Sequence, residues 1–188
     1  TGIWSNVIYM PCTAENHFAP EIPSEQPDLI YLCFPNNPTG GVMDREDLEA
    51  IAEVLRGTDV MVVSDEIYAE LTYGEKHTSI AALDGMSERT ILVSGFSKAY
   101  AMTGWRLGYS AAPEHIAKYI KLIQDHTASN ATTFCQYGAI EALSGDQSFI
   151  ADLREEYDFR RQYVYGRLSA MPKITVVEPK GACYVFID

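Results

Sequence analysis

Residues 29–66 read LIYLCFPNNPTGGVMDREDLEAIAEVLRGTDVMVVSDE, and this stretch decides the fold class. Leu29 to Phe34 is a short, continuously apolar run, stopped by Pro35-Asn36-Asn37-Pro38. Asp44 then stands as an N-cap with Asp47 three positions on, a weaker version of the capping box. Leu48, Ile51, Ala52 and Leu55 follow at helical spacing, and Gly57 supplies the stop. Val60 to Val63 is a second buried-type strand, closing in Ser64-Asp65-Glu66. Strand, helix, strand, with the strands apolar on both faces, is the pattern of a parallel sheet between helical layers.

Working outward, a looser segment from Tyr73 to Met86 leads to a third strand, Thr90 to Val93. Trp105 to Ser110 reads as one more, close enough to its predecessor to run antiparallel. From Pro113, which suits a first helical position, the character turns helical, with Ile116, Tyr119, Ile120 and Ile123 on one face. A second helix is expected over Thr133 to Leu143, ending near Gly145. A third runs from Ser148 to Ala170, with Phe149, Leu153, Tyr157, Val164 and Leu168 near one stripe and Arg154, Glu155 and Glu156 on a solvated face. Beyond Pro172 come strand-like Ile174 to Val177, a Pro179-Lys180-Gly181 turn, and strand-like Cys183 to Ile187. On the other side, Val7 to Met10 is strand-like and precedes a connection punctuated by Pro20, Pro23 and Pro27. The expectation is an α/β protein whose mostly parallel sheet, with helices on both faces, occupies residues 1–145. Residues 146–188 would add a long linking helix and the start of a smaller α+β domain. A chain that begins without Met and ends on Asp188, straight after an apolar run, is expected to be a fragment cut at both ends.

Composition narrows the functional classes. With 47% hydrophobic and 21% charged residues in 188, the chain has the make-up of a globular protein and not of a disordered tail. A net charge of -12 without a Lys/Arg cluster argues against nucleic acid as partner, while leaving room for small anions held by single cations. Cys12, Cys33, Cys135 and Cys183 are far apart, and the four histidines show no metal-ligand spacing, so no metal and no disulfide framework are expected. No apolar stretch reaches the length of a membrane span, and Thr1-Gly2-Ile3-Trp4 lacks the features of a signal peptide. A reducing cytoplasm is the expected setting.

The placement of polar residues is more informative. Asn37 follows the first strand, Asp65 closes the second, and Lys98 comes just after the third. In a parallel sheet all three lie beyond strand carboxyl ends, where open α/β sheets bind ligands. Each also has a plainer reading. Asn37 serves as turn chemistry, Asp65 as a helix cap, Lys98 as a surface lysine and Arg106 as one half of a surface ion pair.

Three motifs weigh against those readings. Pro35-Asn36-Asn37-Pro38-Thr39-Gly40, Ser64-Asp65-Glu66-Ile67-Tyr68, and the run from Ser94 through Ser97-Lys98 to Trp105-Arg106-Leu107-Gly108-Tyr109 resemble the consecutive signatures of class I/II, fold-type I aminotransferases, which use pyridoxal 5'-phosphate (PLP). Tyr9 to Asn16, with Leu29 to Gly40, is similar to LL-diaminopimelate aminotransferases, whereas from Gly41 onward the chain looks more like the aspartate and aromatic types. The resemblance implies that Lys98 forms a Schiff base with the cofactor and shuttles a proton. It implies that Asp65 pairs with the pyridine nitrogen, that Tyr68 and Asn37 hydrogen-bond the ring oxygen, and that Arg106 holds the phosphate. Ser97 joins the phosphate set, although the serine that many relatives carry three positions before the lysine is Gly95 here. Tyr100 and Trp105 are expected to be packing residues.

The implied activity is transamination of an L-amino acid to its 2-oxo acid with 2-oxoglutarate and glutamate as partner pair, in a homodimer. In the family the phosphate loop and the ring-stacking aromatic precede the position of Thr1, and the arginine for the substrate carboxylate follows that of Asp188. Two other readings stay open: a carbon–sulfur lyase or other fold-type I PLP enzyme, and a catalytically silent aminotransferase-like sensor.

Overall fold

The computed structural model describes residues 6–21 and 25–187. Its centre is a four-stranded sheet in the order β1 (Leu29–Cys33), β2 (Met61–Asp65), β3 (Thr90–Gly95), β4 (Gly108–Ala111). β1 and β2 are parallel with Cys33 opposite Asp65, and β2 and β3 are parallel with Asp65 opposite Val93. β4 runs antiparallel, pairing Gly108 with Gly95. The carboxyl ends of three strands and the start of the fourth therefore share one edge.

The crossover between β1 and β2 is α1 (Arg45–Leu55). Asp44 caps it through a reciprocal pair of bonds: its carboxylate accepts from the Asp47 N–H at 3.0 Å, and Asp47 accepts from the Asp44 N–H at 3.1 Å. An aspartate thus completes the box that glutamate more often fills. Leu48, Ile51, Ala52 and Leu55 form the buried face, packed with Ile30, Leu32, Val60, Val62 and Ile80 into one core. Arg89 ties down the return to β2, its Nη1 donating to the carbonyls of Leu55 and Val60 at 3.0 and 3.3 Å. The opposite face of β1 is open, with Leu29 and Tyr31 exposed.

The helical half comprises α2 (Glu114–Thr127), α3 (Thr133–Ser144) and α4 (Ser148–Ser169). These bounds agree with the sequence pattern, but their packing differs from it. α2 and α4 bury no residue, and Tyr119 and Ile123, read as an inward face, are mostly exposed. The expected faces are only partly covered: Ile116, Ile120, Leu153, Tyr157 and Leu168 are half-buried, and Tyr157 of α4 packs beside Tyr68, Leu71 and Ala182. α3 is tied in by Cys135 and Ala139, with Ala139 against Phe96 and Met102.

Three expected strands do not form. Val7 to Met10 has no strand partner and is exposed up to Tyr9. Ile174 to Val177 and Cys183 to Ile187 meet only in one bridge, Val176 with Ile187. An apolar run without a hydrogen-bonding neighbour cannot become a ladder. Trp105, expected to open β4, sits in a 3-10 turn (Thr103–Trp105), and the strand starts at Gly108. No helix among the described residues is long and apolar enough to cross a membrane.

Leu55→Ala is expected to cost about 2–5 kcal/mol through the cavity left between α1 and the sheet. Asp44→Ala should cost about 0.5–2 kcal/mol. Urea unfolding checks the ranking, and equal losses would contradict a helix held mainly by its buried face.

Candidate active site

The loop after β1 is shaped by Asn36. Its Nδ2 donates to the Cys33 carbonyl at 3.1 Å, and its Oδ1 accepts from the Thr39 hydroxyl at 2.8 Å. That assigns the turn chemistry to Asn36 and leaves Asn37 exposed, with no side-chain hydrogen bond among the described residues. Gly40 has φ +71°, and a Cβ there would run into Pro179, so the turn lies flush against the C-terminal segment. The amides of Lys180 and Gly181 both donate to the Gly40 carbonyl, at 3.0 and 2.9 Å.

After β2, Asp65 uses both oxygens. Oδ1 accepts the Ile67 N–H at 3.2 Å, closing a local turn; no helix follows before Ile80, so the helix-cap reading of Asp65 is not realised. Oδ2 accepts the Tyr31 hydroxyl at 3.1 Å, across from β1. Burial, then the Asp65 charge and this hydrogen bond, push the Tyr31 phenol up to about 12. Sequence reasoning assigned nothing to Glu66, which is buried and fully partnered. It accepts from Ser64 at 2.9 Å and Ser79 at 2.7 Å, and His77 Nε2 lies at 2.9 Å. A buried carboxylate needs such partners; these four residues fasten the 66–80 loop beneath the end of β2.

Tyr68 is buried in the turn that follows, and the Lys98 ammonium lies 5.4 Å from its ring centroid. Its hydroxyl meets that of Tyr184 at 2.5 Å, with the rings edge to face. Tyr184 is a site residue that sequence reasoning missed. The pair is 116 positions apart, and no local spacing signals it. The Tyr184 phenol is pushed up to about 12 by the Tyr68 hydrogen bond and by burial, and Tyr68 is raised chiefly by burial.

Lys98 and Ser97 ride on the turn after β3, where the Tyr100 and Met102 amides reach back to the Phe96 carbonyl. Ser97 makes no side-chain hydrogen bond among the described residues. Gly95 leaves no room for a side chain: a Cβ would lie 2.9 Å from the Gly108 Cα and 3.1 Å from the Leu107 oxygen. Arg106 is exposed in the left-handed region (φ 51°), just before β4, and donates to the Thr103 carbonyl at 2.9 Å. Neither Arg106 nor Lys98 forms a salt bridge among the described residues, so the ion-pair reading of Arg106 is not realised. Trp105 packs over Gly138 of α3, and Tyr100 stacks on Phe96 with centroids 5.6 Å apart, both as expected of packing residues.

One edge thus gathers an amine, a carboxylate, phenols, an amide and a guanidinium. Gly95→Ser should destabilise by about 1–3 kcal/mol through overpacking, with Gly104→Ala, which meets open space, within about 0.5 kcal/mol of neutral; chemical denaturation compares them. Tyr31 holds its proton more tightly folded than unfolded, so its contribution is whole below the ordinary value of 10 and lost as pH rises to about 12. Urea titrations across that window should show a shallower decline for Tyr31→Phe than for the unsubstituted protein, and a steeper one would contradict the assignment.

Known proteins resemble this chain over most of its length. Residues 8–188 match the family Aminotransferase class I and II. The aspartate aminotransferase of Bacillus subtilis is 41% identical over 187 residues, covering 95% of this chain and 48% of the relative. Aromatic-amino-acid aminotransferase 2 of Thermococcus litoralis is 48% identical over 160 residues, 84% of this chain and 41% of its own. The crystal structure of the aromatic aminotransferase from Pyrococcus horikoshii superposes with a TM-score of 0.88 at 41% identity, covering 96% of this chain and 50% of that one. The narrower likeness of Tyr9 to Asn16, with Leu29 to Gly40, to LL-diaminopimelate aminotransferases is not shown by these relatives, which are of the aspartate and aromatic types. The chain spans about half the length of the relatives it matches, and it belongs to the class I and II aminotransferases, a pyridoxal phosphate-using family.

Proposed function

We propose that the protein transaminates an L-amino acid to its 2-oxo acid with PLP, using 2-oxoglutarate and glutamate as the second pair. The observation that carries this reading is the convergence of Asp65, Lys98 and Arg106 on one sheet edge, both cations being without a carboxylate partner among the described residues. The donor set fits the group: an amine for an aldehyde, a carboxylate for a pyridinium, phenol and amide for a ring oxygen, a guanidinium for a phosphate. When bound, the cofactor supplies an electron sink that makes the substrate Cα–H acidic.

The chain's own residues do the rest. Lys98 would hold the cofactor through its amine, and that amine, when free, would carry the proton to and from the substrate α-carbon. Asp65, fixed by Tyr31 and the Ile67 amide, keeps a proton on the pyridine nitrogen. Tyr68 and Asn37 donate to the ring oxygen, and Arg106 binds the phosphate with Ser97 beside it. The substrate's carboxylate grip is assigned to no residue of this chain. A homodimer and a cytoplasmic setting rest on the family resemblance and the sequence composition.

Borohydride reduction with PLP, followed by peptide mass spectrometry, tests the reading. A pyridoxyl adduct is expected on Lys98 and should vanish in Lys98→Ala. Arg106→Ala should weaken PLP binding roughly tenfold to a hundredfold, the worth of a charged hydrogen-bonded contact of about 1.5–3 kcal/mol. Scattered labelling of many lysines would count against the site. Amine transfer to 2-oxoglutarate, as opposed to ammonia release, separates transamination from carbon–sulfur lysis.

A further inference from the structure

We infer that Tyr184 is a positioning residue: its hydroxyl donates to the Tyr68 oxygen and thereby turns the Tyr68 proton toward an anionic ligand oxygen beside Lys98. The inference rests on the cofactor reading and deepens it, because it concerns how Tyr68 comes to face the ring oxygen as a donor.

The geometry is a 2.5 Å contact between two phenols, each with one proton to give and lone pairs to receive. One O–H···O bond uses one proton, so the polarity of the pair decides what Tyr68 presents. Were Tyr68 the donor, an incoming oxygen anion would meet only its lone pairs. With Tyr184 as donor, Tyr68 keeps a free proton, and accepting a bond makes its own hydroxyl a stronger donor. The Lys98 cation over the Tyr68 ring marks where negative charge is welcome. In keeping with this polarity, the shared bond raises Tyr184 and acts downward on Tyr68, against the burial that lifts it.

Tyr184 is built in from several sides. The Ala182 amide donates to the Leu71 carbonyl at 2.8 Å, and the Tyr73 amide donates to the Lys180 carbonyl at 2.9 Å. Tyr73 also donates its hydroxyl to the Ala182 carbonyl. Arg161 Nη1 holds Glu178 at 2.6 Å and the Pro179 carbonyl at 3.1 Å. Tyr68, Leu71 and Ala182 form a small buried core with Tyr184 packed against it.

The test is a pH titration of protein labelled at tyrosine Cζ, read by NMR, in the parent, Tyr184→Phe and Tyr68→Phe. Both variants keep the ring, so the edge-to-face contact survives, and circular dichroism checks folding. Tyr184→Phe should move the Tyr68 midpoint upward by about half a pH unit or more. Tyr68→Phe should bring Tyr184 down from about 12 toward 10. A Tyr68 midpoint that falls or stays overturns the inference.

A second arm loads PLP and follows the cofactor's absorbance against pH. Tyr184→Phe should shift the midpoint in the same direction as Tyr68→Phe, by a smaller amount, which a purely structural role would not do. Labelling of Lys98 with an unmoved midpoint overturns this inference alone. Failure of PLP to label Lys98 in the parent overturns the cofactor reading, and this inference with it.

Discussion

Parallel pairing of β1, β2 and β3 is the constraint on which the site depends. In a parallel register the chain must return to the starting edge by a crossover before each new strand, so successive strands release their loops on the same side. Cys33, Asp65 and Val93 stand side by side across the sheet. The residues that follow them, Asn37, Tyr68 and Lys98, are therefore brought to one edge though far apart in sequence. The antiparallel β4 completes the arrangement in the opposite sense. It begins at that edge, which is how Arg106, two residues upstream of Gly108, arrives there too.

Around this edge the structure commits polar groups to holding others in place. Tyr31 orients Asp65, Tyr184 meets Tyr68, and Ser64, Ser79 and His77 hold Glu66. Leaving the buried Glu66 or Tyr68 unpaired would be costly, so the network stiffens the loops that carry Asp65 and Tyr68. Lys98 and Arg106, by contrast, have no carboxylate among the described residues to neutralise them. A rigid frame around uncommitted cations is the arrangement expected of an anion-binding site.

Glycine marks where backbones touch. Gly95 faces Gly108 closely enough that a Cβ on either would meet backbone. The Gly95 position is thus taken up by strand packing, with no room for a side chain. This contact replaces a departure from a motif, noticed in the sequence, with a steric reason.

The strands β1 to β3, the capped helix α1 and the three later helices were all legible in the chain, because each depends on local periodicity and end signals. The strand-end placement of Lys98, Asp65 and Arg106 was legible for a related reason: strand ends are read locally. Val7 to Met10 and Ile174 to Val177 were misread because an apolar run becomes a strand only beside a partner. The inward faces of α2 and α4 were readable from spacing, but not that they would be only half-buried. Tyr31, His77 and Tyr184 could not be found at all, since their partners lie 34, 11 and 116 residues away. Sequence alone determined which elements form and which chemistry stands at their ends. Only the tertiary structure decided which distant hydroxyls and imidazole orient that chemistry, because hydrogen bonds between loops depend on how the sheet edge folds them together.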